Sequence, residues 1–343
     1  MKKIVSLLLF TLLMSANLYA EDISMEQALQ IASRFATVTS SSHARANGMD
    51  TSGQAVMPTL AHAVRSKVVN KDNVYVVNLG QEQGFVVISG ESGTADEIIG
   101  FCDHGTFNYQ TAPVQMKELL DHYSASIDML RQKPALAATA SNVTNWPSYI
   151  GMVVVGPLLT TTWNQWGPYN NYCPDGCPSG CYPTALAQVM NYWQWPQETM
   201  GEVEGEDFSG HTYDWNNMLD SYGSGYDING EWVFRSYDAA QAEAVAKLMA
   251  DIGKAFNTTY NPEGSSTFFE AEQLVKNFGY EMGYKSHYGE SAADLMDLMK
   301  EELDQKRPVL YSGCPQDDGS CHALVCDGYT TRDYFHFNYG WGV

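Results

Sequence analysis

Residues 180–190 read Gly-Cys-Tyr-Pro-Thr-Ala-Leu-Ala-Gln-Val-Met and place a cysteine at the start of a predicted helix. Ala, Leu, Gln and Met are good helix formers, and proline is tolerated in a first turn because its missing N–H is not needed there. Gly180 permits the turn into the helix. A thiol in this position faces unpaired backbone N–H groups and the positive end of the helix dipole, which favour the thiolate. Cys181 is therefore the candidate nucleophile.

Later segments offer partners for this thiol. His322 opens the strand-like run His-Ala-Leu-Val-Cys, and Asn338 follows the strand-like Tyr-Phe-His-Phe. A thiolate paired with a histidine is an activated nucleophile. On adjacent strands, the Asn338 amide can accept the imidazole N–H and hold the ring toward the sulfur. Upstream, the Gln165 amide can join the Cys181 backbone N–H in stabilising an oxyanion. This set predicts a cysteine hydrolase.

At these positions the chain resembles the streptopain family of secreted bacterial cysteine peptidases, which is related to papain. The resemblance rests on Asn-Gln-Trp-Gly-Pro-Tyr-Asn (164–170), Gly-Cys-Tyr-Pro-Thr-Ala-Leu-Ala-Gln-Val-Met-Asn-Tyr (180–192), His-Ala-Leu-Val-Cys-Asp-Gly-Tyr (322–329) and His-Phe-Asn-Tyr-Gly-Trp-Gly (336–342). The stretch before Trp163 resembles that family's self-inhibitory propeptide. The likeness thus covers nearly everything after the first segment of about twenty residues, which reads as an export signal.

The resemblance implies a role for each matched residue. Cys181 matches the nucleophile, His322 the general base and acid, and Gln165 the oxyanion donor, while Asn338 and Trp341 match the loop that supports the histidine. His322 lies 141 residues after Cys181, within the spacing of about 130–150 residues found in papain-like enzymes. Asn338, at 157 residues, falls slightly outside that spacing.

Three further residues are implied to border the substrate. By family position, Ser265 and Ser266 border the pocket for the residue that precedes the cleaved bond. Cys321 stands where the family has glycine, so its backbone can line the cleft although its side chain is bulkier. Tyr339 stands where the family has tryptophan, and we expect it to alter the aromatic shield over His322.

The resemblance and the order of elements together predict the fold class. It is α+β, with a papain-like catalytic domain made of a helical part and an antiparallel sheet, preceded by a small α+β propeptide packed over the active site. Alternating runs before residue 105 predict a small antiparallel sheet, and the C-terminal third is expected to be rich in strands. Predicted helices cover residues 114–131, 181–195, 239–255 and 268–278.

Domain boundaries follow from composition. Lys2 and Lys3, an apolar run at 4–14 and Ala20 predict a secretory signal peptide over residues 1–20, too short to span a membrane. Residues 134–142 are small and polar, which is typical of a protease-accessible linker. We therefore expect a propeptide at 21–140 and the peptidase domain at 141–343. Because family members continue for several strands past the Gly-Trp-Gly element, the C-terminal end at Val343 is expected to be incomplete.

Charge is unevenly distributed and restricts the partners. Residues 145–343 contain 9 Lys and Arg against 27 Asp and Glu, within a chain of net charge −21. Such acidity disfavours nucleic acid and anionic membranes as partners. The expected partners are protein or peptide substrates and the chain's own propeptide. We expect a secreted monomer without cofactor or metal.

The seven cysteines leave alternatives open. An odd number in an exported chain leaves at least one thiol free, which we expect to be Cys181, and Cys326 reads as a small core residue. Cys173 and Cys177, and Cys314 and Cys321, are close enough in sequence to form disulfides, or could remain thiols. The alternative is a zinc cluster of these four, but zinc knuckles prefer tighter Cys-x-x-Cys pairs.

These observations predict a secreted cysteine endopeptidase made as a zymogen. Two other classes compete with it. One is a peptidase-like binding protein that kept the fold without the activity, which would fail to react with an active-site thiol probe at Cys181. The other is an acyl transferase on the same scaffold, which would transfer acyl groups to amines faster than to water. The propeptide resemblance argues against both.

Overall fold

The computed structural model describes residues 22–47, 57–81, 83–92, 97–102, 105–112, 114–132, 152–226, 232–281, 292–313 and 321–342. The predicted signal peptide, the predicted linker and Cys314 lie outside these residues. Within them the chain forms an N-terminal unit and a C-terminal unit, each with helices and an antiparallel sheet. No helix in the described part of the chain combines the length and the apolar character needed to cross a membrane.

The N-terminal unit is a four-stranded antiparallel sheet between two helices. Its elements are α1 (Met25–Asn47), β1 (Thr59–Arg65), β2 (Asp72–Asn78), β3 (Phe85–Ser89), β4 (Ile98–Cys102) and α2 (Val114–Gln132), with strand order β1-β2-β3-β4. On β2, Tyr75 and Val77 pack with α1, whereas Val74 and Val76 pack with α2. This strand is apolar throughout because helices cover both of its faces.

The predictions for this unit are confirmed except for α1. The predicted helix at 114–131 is α2, and the predicted sheet is present. Helix α1 was not predicted, although Ala28, Ile31, Ala32 and Phe35 recur at the spacing of one helical face and are buried. A reciprocal pair of hydrogen bonds between Ser24 and Gln27 caps its start, since each side chain accepts from the other's backbone N–H.

The C-terminal unit packs helices against a second sheet. Its helices are α3 (Cys181–Trp193), α4 (Ala239–Ala255), α5 (Ala271–Phe278) and α6 (Ala292–Asp304). The sheet has the order β10 (Val309–Gly313), β11 (His322–Thr330), β12 (Phe335–Asn338), and β5 (Val153–Val155) pairs with the far end of β11. Two small hairpins are β6 (Glu202–Val203) with β7 (Glu206–Asp207), and β8 (Gly223–Tyr226) with β9 (Trp232–Arg235).

Helix α3 is the centre of this unit. It packs against α4 on one side and β11 on the other, and Leu186 and Met190 are buried between them together with Val325 of the strand. Helix α6 packs against the other face of β11, so the run Ala-Leu-Val-Cys is buried without interruption. The packing brings the start of α3, at Cys181, toward the start of β11, at His322.

All four predicted helices are present and begin and end within a few residues of their predicted limits, and α4 matches at both ends. Helix α5 begins at Ala271 rather than Phe268, and α3 ends at Trp193 rather than Trp195. Helix α6 was not predicted and lies in the C-terminal third, which was expected to be rich in strands.

Candidate active site

Glycine is required immediately before the candidate nucleophile. Gly180 has a φ of 95°, and a Cβ there would lie 3.2 Å from the carbonyl oxygen of Ser265. Both the left-handed backbone and the close approach exclude a larger residue. The Thr184 hydroxyl donates to the Gly180 carbonyl at 2.9 Å, which fixes the first turn of α3. The helix therefore starts at Cys181 with its N-terminal N–H groups beside the thiol.

Cys181 and His322 begin α3 and β11, which pack against each other. The backbone N–H of Ala323 donates to the Cys181 sulfur, so the thiol lies against the peptide that follows His322. The His322 Nε2–H donates to the Tyr339 carbonyl at 3.0 Å. Its Nδ1 is buried and has no hydrogen-bond partner among the described residues. In the neutral ring this bond leaves Nδ1 as the nitrogen that can accept a proton.

Burial opposes ionisation of both groups in this structure. It raises the pKa of the Cys181 thiol, although N–H groups of Ala323, Tyr182 and Cys181 donate to the sulfur and lower it. Burial also lowers the pKa of His322, against the raising effect of the Tyr339 carbonyl. The backbone N–H groups at the helix start thus act in the direction that the sequence predicts, but desolvation outweighs them. Thiol and imidazole are each favoured in their neutral form here.

Asn338 lies beside this pair but is bonded elsewhere. Its Oδ1 accepts from the Gly340 N–H at 3.0 Å and from Gln188 Nε2 at 3.2 Å. Its Nδ2 donates to the Thr161 carbonyl at 2.8 Å and to Gln188 Oε1 at 3.0 Å. The side-chain amide is therefore already satisfied on both of its atoms.

The prediction that Asn338 accepts the imidazole N–H is wrong in this structure. The acceptor is the carbonyl of Tyr339, one residue further along the chain. The reason is that the buried contacts of Asn338 hold its side chain toward α3, while the turn after β12 aims the next carbonyl at His322.

Aromatic rings cover the histidine. The Trp341 ring centroid is 5.1 Å from that of His322, and the Tyr339 ring lies at 6.1 Å, tilted by only 14°. The two aromatic rings stack on each other at 4.7 Å. The Tyr339 ring thus lies nearly parallel to the imidazole, and the Trp341 ring packs against both.

Gln165 is buried close to the nucleophile. Its backbone carbonyl accepts from the N–H of Ser179 at 2.9 Å, and Ser179 is two residues before Cys181. On the other side, the N–H of Gly342 donates to the Trp163 carbonyl at 3.2 Å. The segment that contains Gln165 is thus attached both to the approach to Cys181 and to the loop that contains Trp341.

The three residues predicted to border the substrate differ in burial and in their position relative to the start of α3. Ser265 is buried and its hydroxyl donates to the Pro178 carbonyl at 2.6 Å, beside the entry to α3. Ser266 is exposed, and its backbone pairs with that of Thr259. Cys321 is exposed and disulfide-bonded. Of the three, Ser265 is the one that adjoins the nucleophile loop.

The state of the cysteines in the structure bears on the choice among disulfides, free thiols and a zinc cluster. Cys181 is a free thiol and Cys326 is a buried core residue, as expected. Cys173 and Cys177 are both buried and not bonded to each other. The disulfide at Cys321 removes a thiolate that the zinc alternative needs, and no cluster of three or more metal-ligating side chains occurs in the described ranges.

Sequence reasoning missed Gln188 and the Tyr339 carbonyl. Gln188 is fully buried and lies seven residues after Cys181, two helical turns further along the same face of α3. A polar residue on the buried face of this helix was the signal that could have identified it. A backbone carbonyl leaves no such signal in the sequence.

Comparison with known proteins identifies relatives of both units. Residues 163–342 match the Peptidase C10 family, and residues 20–127 match the Spi protease inhibitor family. Streptopain of Streptococcus pyogenes serotype M1 is 28% identical over 307 residues, which cover 79% of this chain and 71% of streptopain. The thiol protease/hemagglutinin PrtT of Porphyromonas gingivalis is 28% identical over 299 residues. That match covers 78% of this chain but only 32% of the relative's length.

A solved structure supports the same relation. A fragment of prointerpain A from Prevotella intermedia superposes with a TM-score of 0.63 at 28% identity, covering 83% of this chain and 89% of the fragment. The match includes both the N-terminal unit and the C-terminal unit. The predicted fold class, an α+β catalytic domain preceded by a small α+β propeptide domain, is confirmed.

Proposed function

Because the chain belongs to the Peptidase C10 family, we propose that it is a cysteine endopeptidase made as a self-inhibited precursor. The observation that carries the proposal is the position of the Cys181 sulfur, at the start of α3 and against the first peptide of β11, next to His322. A thiol beside an imidazole with an unpaired nitrogen is the arrangement of an activated nucleophile.

The reaction needs four groups from this chain. His322 Nδ1 takes the proton of the Cys181 thiol, and the thiolate attacks the peptide carbonyl carbon to form a tetrahedral oxyanion. The Cys181 backbone N–H and the Gln165 side-chain amide donate to that oxygen. His322 then gives its proton to the leaving amine, the C–N bond breaks, and an acyl-enzyme thioester remains. Water, deprotonated by His322, hydrolyses the thioester and restores the thiol.

The first proton transfer overcomes the burial that favours the neutral forms. A thiolate and an imidazolium at short range stabilise each other, so the pair can ionise together where neither group would alone. The Tyr339 carbonyl supports this step because it accepts from the ring nitrogen opposite Nδ1 and favours the charged ring. Asn338 acts in this proposal through the turn and not as the direct partner of His322.

The N-terminal unit is proposed to be the inhibitor. Its match to the Spi protease inhibitor family supports this role, as does the contact of its Ile98 carbonyl with the Tyr334 hydroxyl of the C-terminal unit, at 3.3 Å. We propose a signal peptide at 1–20, the inhibitory propeptide at 21–140 and the peptidase domain at 141–343. The product is a secreted monomer that acts on peptide and protein substrates. Its Ser265 and Ser266 border the pocket for the substrate residue that precedes the cleaved bond.

The test is removal of the nucleophile. Cys181→Ala should abolish casein cleavage and self-processing between residues 133 and 150 while the precursor stays folded. Cys102→Ala is the matched control, because it removes a thiol of the N-terminal unit that is not in a disulfide and should retain both activities. The readouts are the release of casein fragments, the mass of the secreted product and circular dichroism. Activity in purified Cys181→Ala would disprove the proposal.

A further inference from the structure

A buried glutamine links the elements of the proposed active site. Gln188 is on α3, is fully inaccessible to solvent, and lies on the same helical face as Cys181, two turns away. A neutral amide in an apolar core is costly unless its donor and acceptor atoms are both bonded. The hydrogen-bond partners of the Gln188 amide therefore show why a polar residue is tolerated at this buried position of α3.

The Gln188 amide bonds to two chain segments. Its Nε2 donates to Asn338 Oδ1 at 3.2 Å, and its Oε1 accepts from Asn338 Nδ2 at 3.0 Å, so the two amides pair reciprocally. The same Oε1 accepts from the Thr161 hydroxyl at 3.0 Å and from the Trp163 backbone N–H at 3.2 Å. One side chain thus joins the nucleophile helix to the end of β12 and to the segment that leads to Gln165.

From Asn338 the link continues to the histidine through the turn. Asn338 Oδ1 also accepts from the Gly340 N–H, and the carbonyl of the intervening Tyr339 accepts from His322 Nε2. Gly340 has a φ of 69°, and a Cβ there would lie 3.0 Å from the Thr184 side chain, so the turn sits directly on α3. The position of the carbonyl that orients His322 therefore depends on the amide pair beneath it.

From Trp163 a second link runs toward the oxyanion site. The Trp163 carbonyl accepts from the N–H of Gly342, and the neighbouring Asn164 Oδ1 accepts from the Trp166 N–H at 2.8 Å. These bonds hold the backbone on both sides of Gln165. Gln188 thereby fixes the positions of the proposed base and the proposed oxyanion donor relative to one helix, the helix that begins at the nucleophile.

We propose that Gln188 is a positioning residue for catalysis: it holds Asn338, and through the turn the Tyr339 carbonyl, so that His322 keeps its orientation toward Cys181. This inference rests on the proposed peptidase function. Gln188 touches neither the substrate nor the reacting sulfur, so its effect is on the geometry of the pair. Small displacements of a catalytic group are sufficient to cost about a hundredfold in rate.

The experiment compares two variants of α3. Gln188→Met keeps the length of the side chain and removes all four hydrogen bonds, whereas Met190→Ala disturbs an equally buried site of the same helix without touching Asn338. Each precursor is processed in trans by tagged wild-type enzyme, which is then removed, and the active sites are titrated. We expect kcat of Gln188→Met to fall about a hundredfold with little change in KM.

The pH profile separates positioning from loss of stability. With the ring no longer held, the ion pair is weakened, so the acid limb of kcat/KM and of Cys181 alkylation should move to higher pH in Gln188→Met but not in Met190→Ala. If both variants lose thermal stability and keep the wild-type kcat and acid limb, the proposal is wrong. Activity that persists in Cys181→Ala would instead refute the proposed function itself.

A second variant keeps the test valid if Gln188→Met does not fold. Gln188→Glu retains the acceptor oxygen for Thr161, Trp163 and Asn338, and its protonated carboxyl can donate to Asn338 Oδ1 in place of the amide. As pH rises through the pKa of that carboxyl, which burial raises, the donor is lost and kcat should decline in a step that the wild type lacks. A profile parallel to that of the wild type would overturn the proposal.

Discussion

At the scale of single residues, the ionisation of Cys181 depends on opposing effects. The backbone N–H groups of the helix start and of Ala323 stabilise the thiolate, but burial destabilises it more and leaves the pKa of the thiol raised. His322 is shifted in the opposite direction for the same reason, so burial leaves its pKa lowered. In the precursor, the thiol of Cys181, the proposed nucleophile, is therefore favoured in its neutral form.

This predicts a pH-dependent reactivity of the precursor. A raised thiol pKa means less thiolate at neutral pH, so iodoacetamide should alkylate Cys181 slowly at pH 7 and faster as pH rises past the ordinary thiol pKa of about 8.5. The processed enzyme should react faster at neutral pH, because the ion pair supplies thiolate there. Peptide mapping by mass spectrometry distinguishes Cys181 from the other cysteines. Equal rates at pH 7 before and after processing would contradict this account.

At the scale of elements, the turn after β12 is the part of the site under the tightest steric constraint. Gly340 combines a left-handed φ of 69° with a potential Cβ contact of 3.0 Å to Thr184. Gly205 has a similar φ of 82° but no atom within 4 Å of a potential Cβ. The two positions share the backbone strain and differ in the packing on α3, which makes them a matched pair.

Alanine at these two positions should have different consequences. Gly205→Ala should lower the free energy of unfolding by about 1–2 kcal/mol, the cost of the left-handed backbone, and leave kcat unchanged. Gly340→Ala should lower it further and also reduce kcat, because the turn must move away from Thr184 and takes the Tyr339 carbonyl with it. Thermal unfolding and kcat of the processed variants measure both effects. Equal kcat values for the two variants would show that the turn does not orient His322.

The sequence predicts elements whose determinants are local. Helix α4 matches its prediction at both ends, and in the structure Asp238 and Gln241 form a capping box at its start, directly before a periodic apolar run. The predicted helix includes residues 268–270, but in the structure Phe269 packs on Tyr182 and Phe256 while Phe268 is exposed, and α5 begins at Ala271. Contacts of this kind depend on distant parts of the chain and override local propensity.

The candidate site also has features that the local sequence predicts and features that depend on distant contacts. Cys181, His322 and Gln165 were identified because each lies in a short motif whose residue types suit one chemical role. The pairing of Asn338 with Gln188 joins positions 150 residues apart. Its two amides can bond in several ways, and only the packing of β12 on α3 selects one. The sequence therefore predicts which residues form the site better than which atoms bond within it.

At the scale of the whole molecule, the N-terminal unit contacts the hairpin that carries His322, the proposed catalytic base. Tyr334, in the turn between β11 and β12, packs against the core that α1 forms with its sheet, and its hydroxyl donates to the Ile98 carbonyl at 3.3 Å. The adjacent Asp333 forms a 2.6 Å ion pair with Lys300 of α6. The turn is thus held from both units, at the opposite end of the hairpin from His322.

Loosening the first of these contacts should speed maturation without changing catalysis. Tyr334→Ala removes a partly buried ring from the contact between the units, worth about 1–2 kcal/mol, so self-processing should accelerate by roughly tenfold. Tyr334→Phe removes only the hydroxyl and should have a smaller effect. Tyr329→Phe is the control, because the Tyr329 hydroxyl bonds Asp304 within the C-terminal unit. The decay of the precursor band and kcat of the processed enzyme are the measurements. If Tyr334→Ala processes at the wild-type rate, this contact does not contribute to inhibition, and the N-terminal unit must act through other residues.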